Sequence, residues 1–451
     1  MAEPLKPAMR EGLVTVLLGM TIVLVIMNTM MFNLALPDVS REFQLTATST
    51  SWIVTGYSIV FAISSITYSR LSDFIPIRRL LTIGTLSLSL AAITGYFSSS
   101  YIMLLIVRIV QASGAGSIPA LSLVLISRYV PMERRGKAMA TIMSAASLGL
   151  GLGPVVGGAI VEYLGWHDLF LVTAITLVIL PFFLKLVPKE KPTKGSFDVL
   201  GALLIGIGTT GLLLYLTNHT WIALIAGVVA ISLFVWRIQT AADPFVLPAL
   251  FNNRTYLLLG AVGIAAYLCS FATLFLMPQI LVNQYGLSAI GAGLVIFPGS
   301  MLAMLVSRLV GRIIDVRGNS QIILYAPFLL LASVVLFALL ETTGYASLLF
   351  IYMLLSVGFT FLTSSISNEM TRILQPAQIG SGLGLFQLLQ FFSGAFGVAM
   401  TASALGWQRN LSPSQAYSNI YWGLAVLVLL AVGCAAMYLR LRSRHAKVTA
   451  S

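Results

Sequence analysis

The chain is an almost unbroken succession of apolar runs, each long enough to cross a lipid bilayer. A spanning helix needs about 20 predominantly apolar residues. Fourteen such runs follow one another, near 13–36, 47–69, 79–97, 102–127, 137–162, 168–187, 198–217, 220–239, 256–282, 288–313, 320–340, 345–370, 378–404 and 417–440. Backbone at that depth has no water to bond, so runs of this length must close their hydrogen bonds internally, as helices. Composition agrees: 58% of the 451 residues are hydrophobic and only 9% are charged, against about 25% charged in a soluble domain. Two cysteines, Cys269 and Cys434, cannot build a disulfide framework. The first run is long enough to span and has no small-residue cleavage site after it, so it reads as a span and not as a signal peptide. The expected fold class is an all-α polytopic membrane protein.

The net charge of +12 raises nucleic acid as a partner, and the placement of the charge argues against it. All lysines and arginines but Arg41, Arg108 and Arg409 lie in alternate segments: before the first span, after each even-numbered span, and in the tail Arg440, Arg442, Arg444, Lys447. Such asymmetry orients spans with the basic segments inside. It therefore predicts a multi-pass protein of the cell membrane with both termini cytoplasmic. The basic tail also suits anionic lipid headgroups.

A repeat sets the architecture. Leu71-Ser72-Asp73 to Arg78-Arg79 follows the second span, and Gly311-Arg312 to Asp315-Val316-Arg317-Gly318 follows the tenth, the aspartates 242 residues apart. Arg128 and Gly136 recur as Arg372 and Gly380, each 244 residues on. A shared offset implies two parallel six-span halves with two spans inserted between them. The expected division is an N-terminal bundle at 1–190, a linker with spans seven and eight at 191–245, and a C-terminal bundle with its basic tail at 246–451.

These segments resemble the major facilitator superfamily. Asp73 with Arg78-Arg79, and Gly311, Asp315 and Gly318, match its cytoplasmic loop motif. Arg108-Ile109-Val110-Gln111-Ala112-Ser113-Gly114 matches its fourth-span motif. Gly149-Leu150-Gly151-Leu152-Gly153-Pro154-Val155-Val156-Gly157-Gly158 matches the fifth-span element of exporters. Asn33-Leu34-Ala35-Leu36-Pro37-Asp38 is similar to the first-span motif of fourteen-span drug:proton antiporters. Lys194 to Asp198 and Asp243-Pro244-Phe245-Val246 resemble Gram-positive tetracycline/proton antiporters. The resemblance implies two six-helix bundles plus two inserted helices, alternating access, no cofactor beyond a proton gradient, and a loop latch in which Asp73 pairs with an arginine such as Arg128 and Asp315 stands near Arg317. It also implies intramembrane acids that this chain lacks. Thr29, Leu150 and Gly394 stand where the tetracycline branch has glutamates, and Asn28 where the multidrug branch often has aspartate.

Several residues carry weight without the family. Arg108 lies within a span, where an arginine costs about 2.5–3.5 kcal/mol, so it needs a partner or a water-filled cavity. Gln111, three residues on, shares its face. The reading is either a structural arginine tied to neighbouring backbone, or one that biases a carboxylate's protonation or meets an anionic substrate group. The cluster Gly153, Pro154, Gly157 and Gly158 permits close helix approach and a bend. The expected cavity is apolar and aromatic, anchored by Asn28, Asn33, Arg108, Gln111, Gln387 and Gln390, with Trp52, Tyr57 and Phe386 as flat surfaces. Asp38, after a helix ending at Asn33–Pro37, is the candidate proton carrier, or simply a partner of Arg41. Gly206-Ile207-Gly208-Thr209-Thr210-Gly211 spells a dinucleotide fingerprint, but inside a span it reads as packing. The histidines 167, 219 and 445 read as solvated surface.

No carboxylate falls clearly at mid-membrane, although proton antiport needs a titratable group. The chain also has no H-E-x-x-H, no G-x-S-x-G and no Walker A sequence, so an enzyme or primary pump is not expected. The reading is a secondary exporter of amphipathic drug-like or antibiotic molecules, proton-coupled and monomeric. The alternative is a facilitator or importer of a small, anionic metabolite.

Overall fold

In the computed structural model, residues 10–449 are described apart from 73, 191, 193–196, 242–243 and 376–378. Among the described residues, fourteen helices are long and apolar enough to cross a membrane. They are α1 (Glu11–Glu42), α2 (Ala47–Leu71), α3 (Ile77–Tyr96), α4 (Tyr101–Ile126), α5 (Met132–Tyr163), α6 (Trp166–Leu186) and α7 (Val199–Asn218). There follow α8 (Trp221–Thr240), α9 (Arg254–Gln284), α10 (Ala289–Arg317), α11 (Ser320–Leu340), α12 (Tyr345–Ile373), α13 (Ile379–Trp407) and α14 (Pro413–Thr449). Starts are set by polar side chains that accept a free backbone N–H: Thr46 from Ser49, Ser100 from Met103, Asp198 from Gly201, Asn253 from Tyr256 and Ser288 from Gly291. At the end of α10, Gly318 takes a left-handed φ of 75°, where a side chain would be strained.

Packing repeats between the halves. In the first half α1 packs on α5 and α6, α3 on α4 and α6, and α2 on α4. In the second, α9 packs on α13 and α14, α11 on α12 and α14, and α10 on α12. The halves meet along two symmetric seams, α5 on α10 and α2 on α13. Helices α7 and α8 pack on each other, and α7 lies against α2 and α13. The fold is thus two six-helix bundles with an inserted pair, and one hydrophobic cluster joins Met31, Phe32 and Phe170 of the first half to Phe275, Val398 and Ala402 of the second.

One local expectation is corrected. The helix expected to end at Asn33–Pro37 runs on to Glu42. Proline removes only the bond to the carbonyl four residues back, a loss that neighbouring helices absorb in an apolar bundle. Helix α5 likewise continues through Pro154. Its glycines act by close approach: a Cβ on Gly153 would fall 2.5 Å from Met30 Cβ of α1, one on Gly157 2.8 Å from Met31, and one on Gly158 2.5 Å from the Ala289 carbonyl of α10. On the α10 side, a Cβ on Gly293 would collide with the Pro154 carbonyl. One face of α5 therefore serves its own bundle, and the adjacent face serves the seam.

Candidate functional site

Arg108 is fully buried in α4, between two aromatic faces from different helices. Its guanidinium carbon lies 3.9 Å from the ring centre of Phe32 of α1 and 4.1 Å from that of Tyr57 of α2. This is cation–π geometry, worth about 2 kcal/mol when desolvated. One nitrogen, Nη1, donates to Gln111 Oε1 at 2.6 Å. Small residues let the helices close in: a Cβ on Gly116 would lie 2.7 Å from the Phe61 carbonyl of α2, and one on Gly114 would collide with α3.

A polar thread runs into this cage from α3 and α6. Ser89 and Thr176 hydroxyls lie 2.8 Å apart, Thr176 donates to the Thr173 carbonyl, and Thr173 Oγ1 donates to Asn28 Oδ1 at 2.9 Å. Asn28 Nδ2 then donates to the Tyr57 hydroxyl at 3.4 Å. Yet Arg108 Nε, Arg108 Nη2 and Gln111 Nε2 are enclosed without any acceptor among the described residues. Three buried donors in one place, two of them on a full positive charge, make a site that calls for oxygen acceptors from a ligand or from water.

Aromatic contacts carry the cage to the other half. Tyr57 stacks on Phe61 at 6.0 Å, and Phe61 meets Phe391 of α13 at 4.6 Å. Gln387 and Gln390 lie on the same helix as Phe391; Gln390 is buried and Gln387 half-buried. Asn33 is buried with an unpaired Oδ1. Two expected flat surfaces are placed elsewhere. Trp52 donates to Thr217 of α7 at 3.2 Å, and Phe386 fills the space over Gly263 within the second bundle. Asp38 sits near the end of α1, 37% exposed and paired with Arg41 at 2.8 Å.

At the ends carrying the basic loops, Asp73 and the side chains of Asp315 and Arg317 lie outside the described residues. Arg128 donates to the Ser72 carbonyl at 2.7 Å and faces Glu190 at 3.6 Å. Glu190 accepts the Ile77 N–H that opens α3 at 2.6 Å and the Tyr129 hydroxyl at 2.7 Å. Burial, reinforced by this bond, holds the Tyr129 phenol well above its usual range. Arg78 and Arg79, with Lys189 and Glu190, line a cleft of about 450 Å³. Sequence reasoning missed Glu190; its signal was a lone acid among the lysines 185, 189, 191 and 194.

Other polar residues have structural partners. Asp198 caps α7, accepts from the Phe245 N–H and pairs with Arg237 at 3.0 Å, tying both ends of the inserted pair together. His167 is half-buried, 2.9 Å from the Ser98 carbonyl, and His219 accepts from Trp407, so neither is simply solvated; the side chain of His445 lies outside the described residues. Among the described residues no cluster of His, Cys, Asp and Glu could hold a metal ion.

The family model described as Major Facilitator Superfamily matches residues 18–398. The riboflavin transporter RibZ of Clostridioides difficile (strain 630) is 27% identical over 380 residues, 82% of this chain and 83% of that one. The lincomycin resistance protein LmrB of Listeria innocua is 27% identical over 440 residues, 92% of this chain and 93% of that one. Among solved structures, a bacterial homologue of the human lysosomal transporter Spinster, in an inward-facing and occupied conformation, superposes with a TM-score of 0.66 at 13% identity over 98% of both chains.

Proposed function

Because the chain belongs to the major facilitator superfamily, and so is a membrane transporter and not an enzyme, we propose that it exports amphipathic, drug-like or antibiotic molecules by alternating access, driven by a proton gradient without a cofactor. It works as a monomer in the cell membrane with both termini cytoplasmic. The observation that carries this reading is α5, whose two small-residue faces pack on α1 within its bundle and on α10 across the seam. Helices that slide as rigid bodies need such close, side-chain-poor contact. The end-to-end match to lincomycin resistance proteins supports the export direction.

The substrate meets the Arg108 cage, where Asn28, Gln111 and Tyr57 orient its acceptors, and Asn33, Gln387 and Gln390 add polar anchors. Asp73 with Arg78, Arg79 and Arg128, joined by Glu190, and Asp315 with Arg317 latch the cytoplasmic ends. Asp73→Asn and Asp315→Asn lower transport without loss of insertion. Asp38 on α1 carries the proton.

The three unpaired donors at Arg108 and Gln111 also favour a second reading, a facilitator of an anionic metabolite. Reconstitution in liposomes with an imposed pH gradient separates them, over a panel including lincomycin, tetracycline and riboflavin. Uphill accumulation that stops when the gradient is collapsed supports export by antiport. Equilibration of anions alone, indifferent to the gradient, overturns it in favour of facilitation.

A further inference from the structure

Three carboxylates are nearly fully buried among the described residues, and one differs in kind. Glu369 of α12, 1% exposed, pairs with Arg442 at 2.7 Å and accepts from Tyr438 and Asn319 at 2.6 Å each. Asp198 has Arg237 and two backbone N–H groups. Glu341, 2% exposed at the end of α11, has no cationic partner among the described residues. Its Oε1 accepts only the Ser414 hydroxyl, at 2.5 Å, and its Oε2 is enclosed with no donor.

A carboxylate removed from water without a counter-charge is far costlier than the neutral acid. The carboxyl end of α11 adds partial negative charge beside it, which acts in the same direction. The amino end of α14 opposes this with a single hydroxyl, that of Ser414. Among the described residues, the titratable groups facing Glu341 are phenols: Tyr285 from the end of α9, and Tyr417 and Tyr421 from α14. Burial pushes the Glu341 carboxyl up from the usual range, partly offset by the Ser414 bond.

The same residue holds a neighbouring helix end. Helix α9 finishes in a π turn, Ile280–Gln284, a widened geometry that recurs at functional sites. The next residue, Tyr285, donates its hydroxyl to the Glu341 carbonyl and accepts the Gly344 N–H at 3.1 Å. The turn between α11 and α12 thus clasps the end of α9, on the face opposite the basic loops.

We propose that Glu341 is a proton-binding site, holding its proton at a pH where an ordinary surface carboxylate has lost it, whose neutral form keeps this clasp closed and whose ionisation releases the end of α9. The proposal stands apart from the antiport reading, since it concerns protonation of the resting protein. The fold favours the neutral acid, so the stability it contributes is present at low pH and is lost as pH rises through the raised value.

Infrared difference spectroscopy of the purified full-length protein tests this without a substrate. Wild type minus Glu341→Gln should show the carbonyl stretch of a protonated carboxyl persisting above the pH at which ordinary carboxyls have ionised, fading as the pH is raised further. Wild type minus Glu369→Gln should show none. Ser414→Ala, which removes the hydroxyl that donates to the anion, should shift the fading to higher pH, and it serves where Glu341→Gln does not fold. Protection from hydrogen exchange at 280–286, taken relative to the intrinsic rate at each pH, should fall over the same pH range in wild type and stay flat in Glu341→Gln. A band that fades in the ordinary carboxylate range overturns the proton site. Protection at 280–286 that tracks pH equally in both proteins overturns the clasp.

Discussion

The same two helix positions hold opposite chemistry in the two bundles. In the first, Arg108 of α4 lies on the ring of Tyr57 of α2. In the second, 244 residues on from Arg108 stands Tyr352 of α12, and 242 on from Tyr57 stands Gly299 of α10. There the Tyr352 ring occupies the space a Gly299 side chain would need. An aromatic ring fills the same gap in both bundles, but it comes from the other helix of the pair, and only the first bundle adds a charge. Packing alone is met equally well by the tyrosine–glycine pair. The buried cation, with its insertion cost of about 2.5–3.5 kcal/mol, is therefore a feature of the first bundle that packing does not require.

The largest expected effect comes from removing that difference. Arg108→Ala should reduce transport to background, and Arg108→Tyr with Tyr57→Gly, which copies the second bundle's arrangement, should fold yet transport no better. A hydrogen bond to a charged group is worth about 1.5–3 kcal/mol, roughly 10–100-fold in rate. Flux in proteoliposomes and thermal stability in detergent check both proteins. A double variant that transports like wild type would mean the cation is only one way of filling the gap.

The seams offer a second contrast. Gly153 in α5 and Gly397, 244 residues on in α13, both sit tightly against their own bundle's first helix, at Met30 of α1 and the Leu268 carbonyl of α9. The seam face is not shared: where α5 has Gly158, α13 has Ala402. Gly158→Ala and Gly293→Ala should each cost about 1–3 kcal/mol by overpacking against backbone and slow transport about tenfold. Gly151→Ala, whose Cβ would stand 3.4 Å from Ser300 Cβ, should be mild. Melting temperature and flux measured on the three variants rank them. Equal effects at all three positions would show that seam closeness does not govern the motion.

These contrasts also show what could be read from sequence. Fourteen runs of about 20 apolar residues dictate fourteen helices, because backbone in hydrocarbon has no alternative, and the 242–244 offset places the halves. Arg108 and Gln111 were legible as a pair because three residues on a helix share a face. Phe32 and Thr173 as their surroundings were not. A helix that is apolar all round gives no signal of which side faces which neighbour, so the sequence left open whether Trp52 faces the cavity, and it bonds to α7. The continuation of α1 past Pro37 was hidden because proline breaks helices in water far more reliably than in a packed bundle. Glu341 looked like any other acid at a span end, since burial without a counter-ion is a property of three helices together.

The smallest effect should come from Asp38, and it bears on whether the first bundle also carries the proton. Asp38 is 37% exposed and paired with an arginine that is 69% exposed; such surface pairs are worth about 0–1 kcal/mol. Asp38→Asn should therefore leave the melting temperature within about a degree or two, because a few tenths of a kcal/mol is spread over a large unfolding entropy. Its effect on function separates two roles cleanly. A proton carrier that cannot ionise should still allow downhill exchange of substrate while losing accumulation driven by a pH gradient. A mere partner of Arg41 should leave both untouched, and Arg41→Gln should then be equally silent. Gradient-driven uptake that survives Asp38→Asn but fails in Arg108→Ala would remove Asp38 from the coupling path and leave the Arg108 cage as the polar centre of the first bundle on which transport depends.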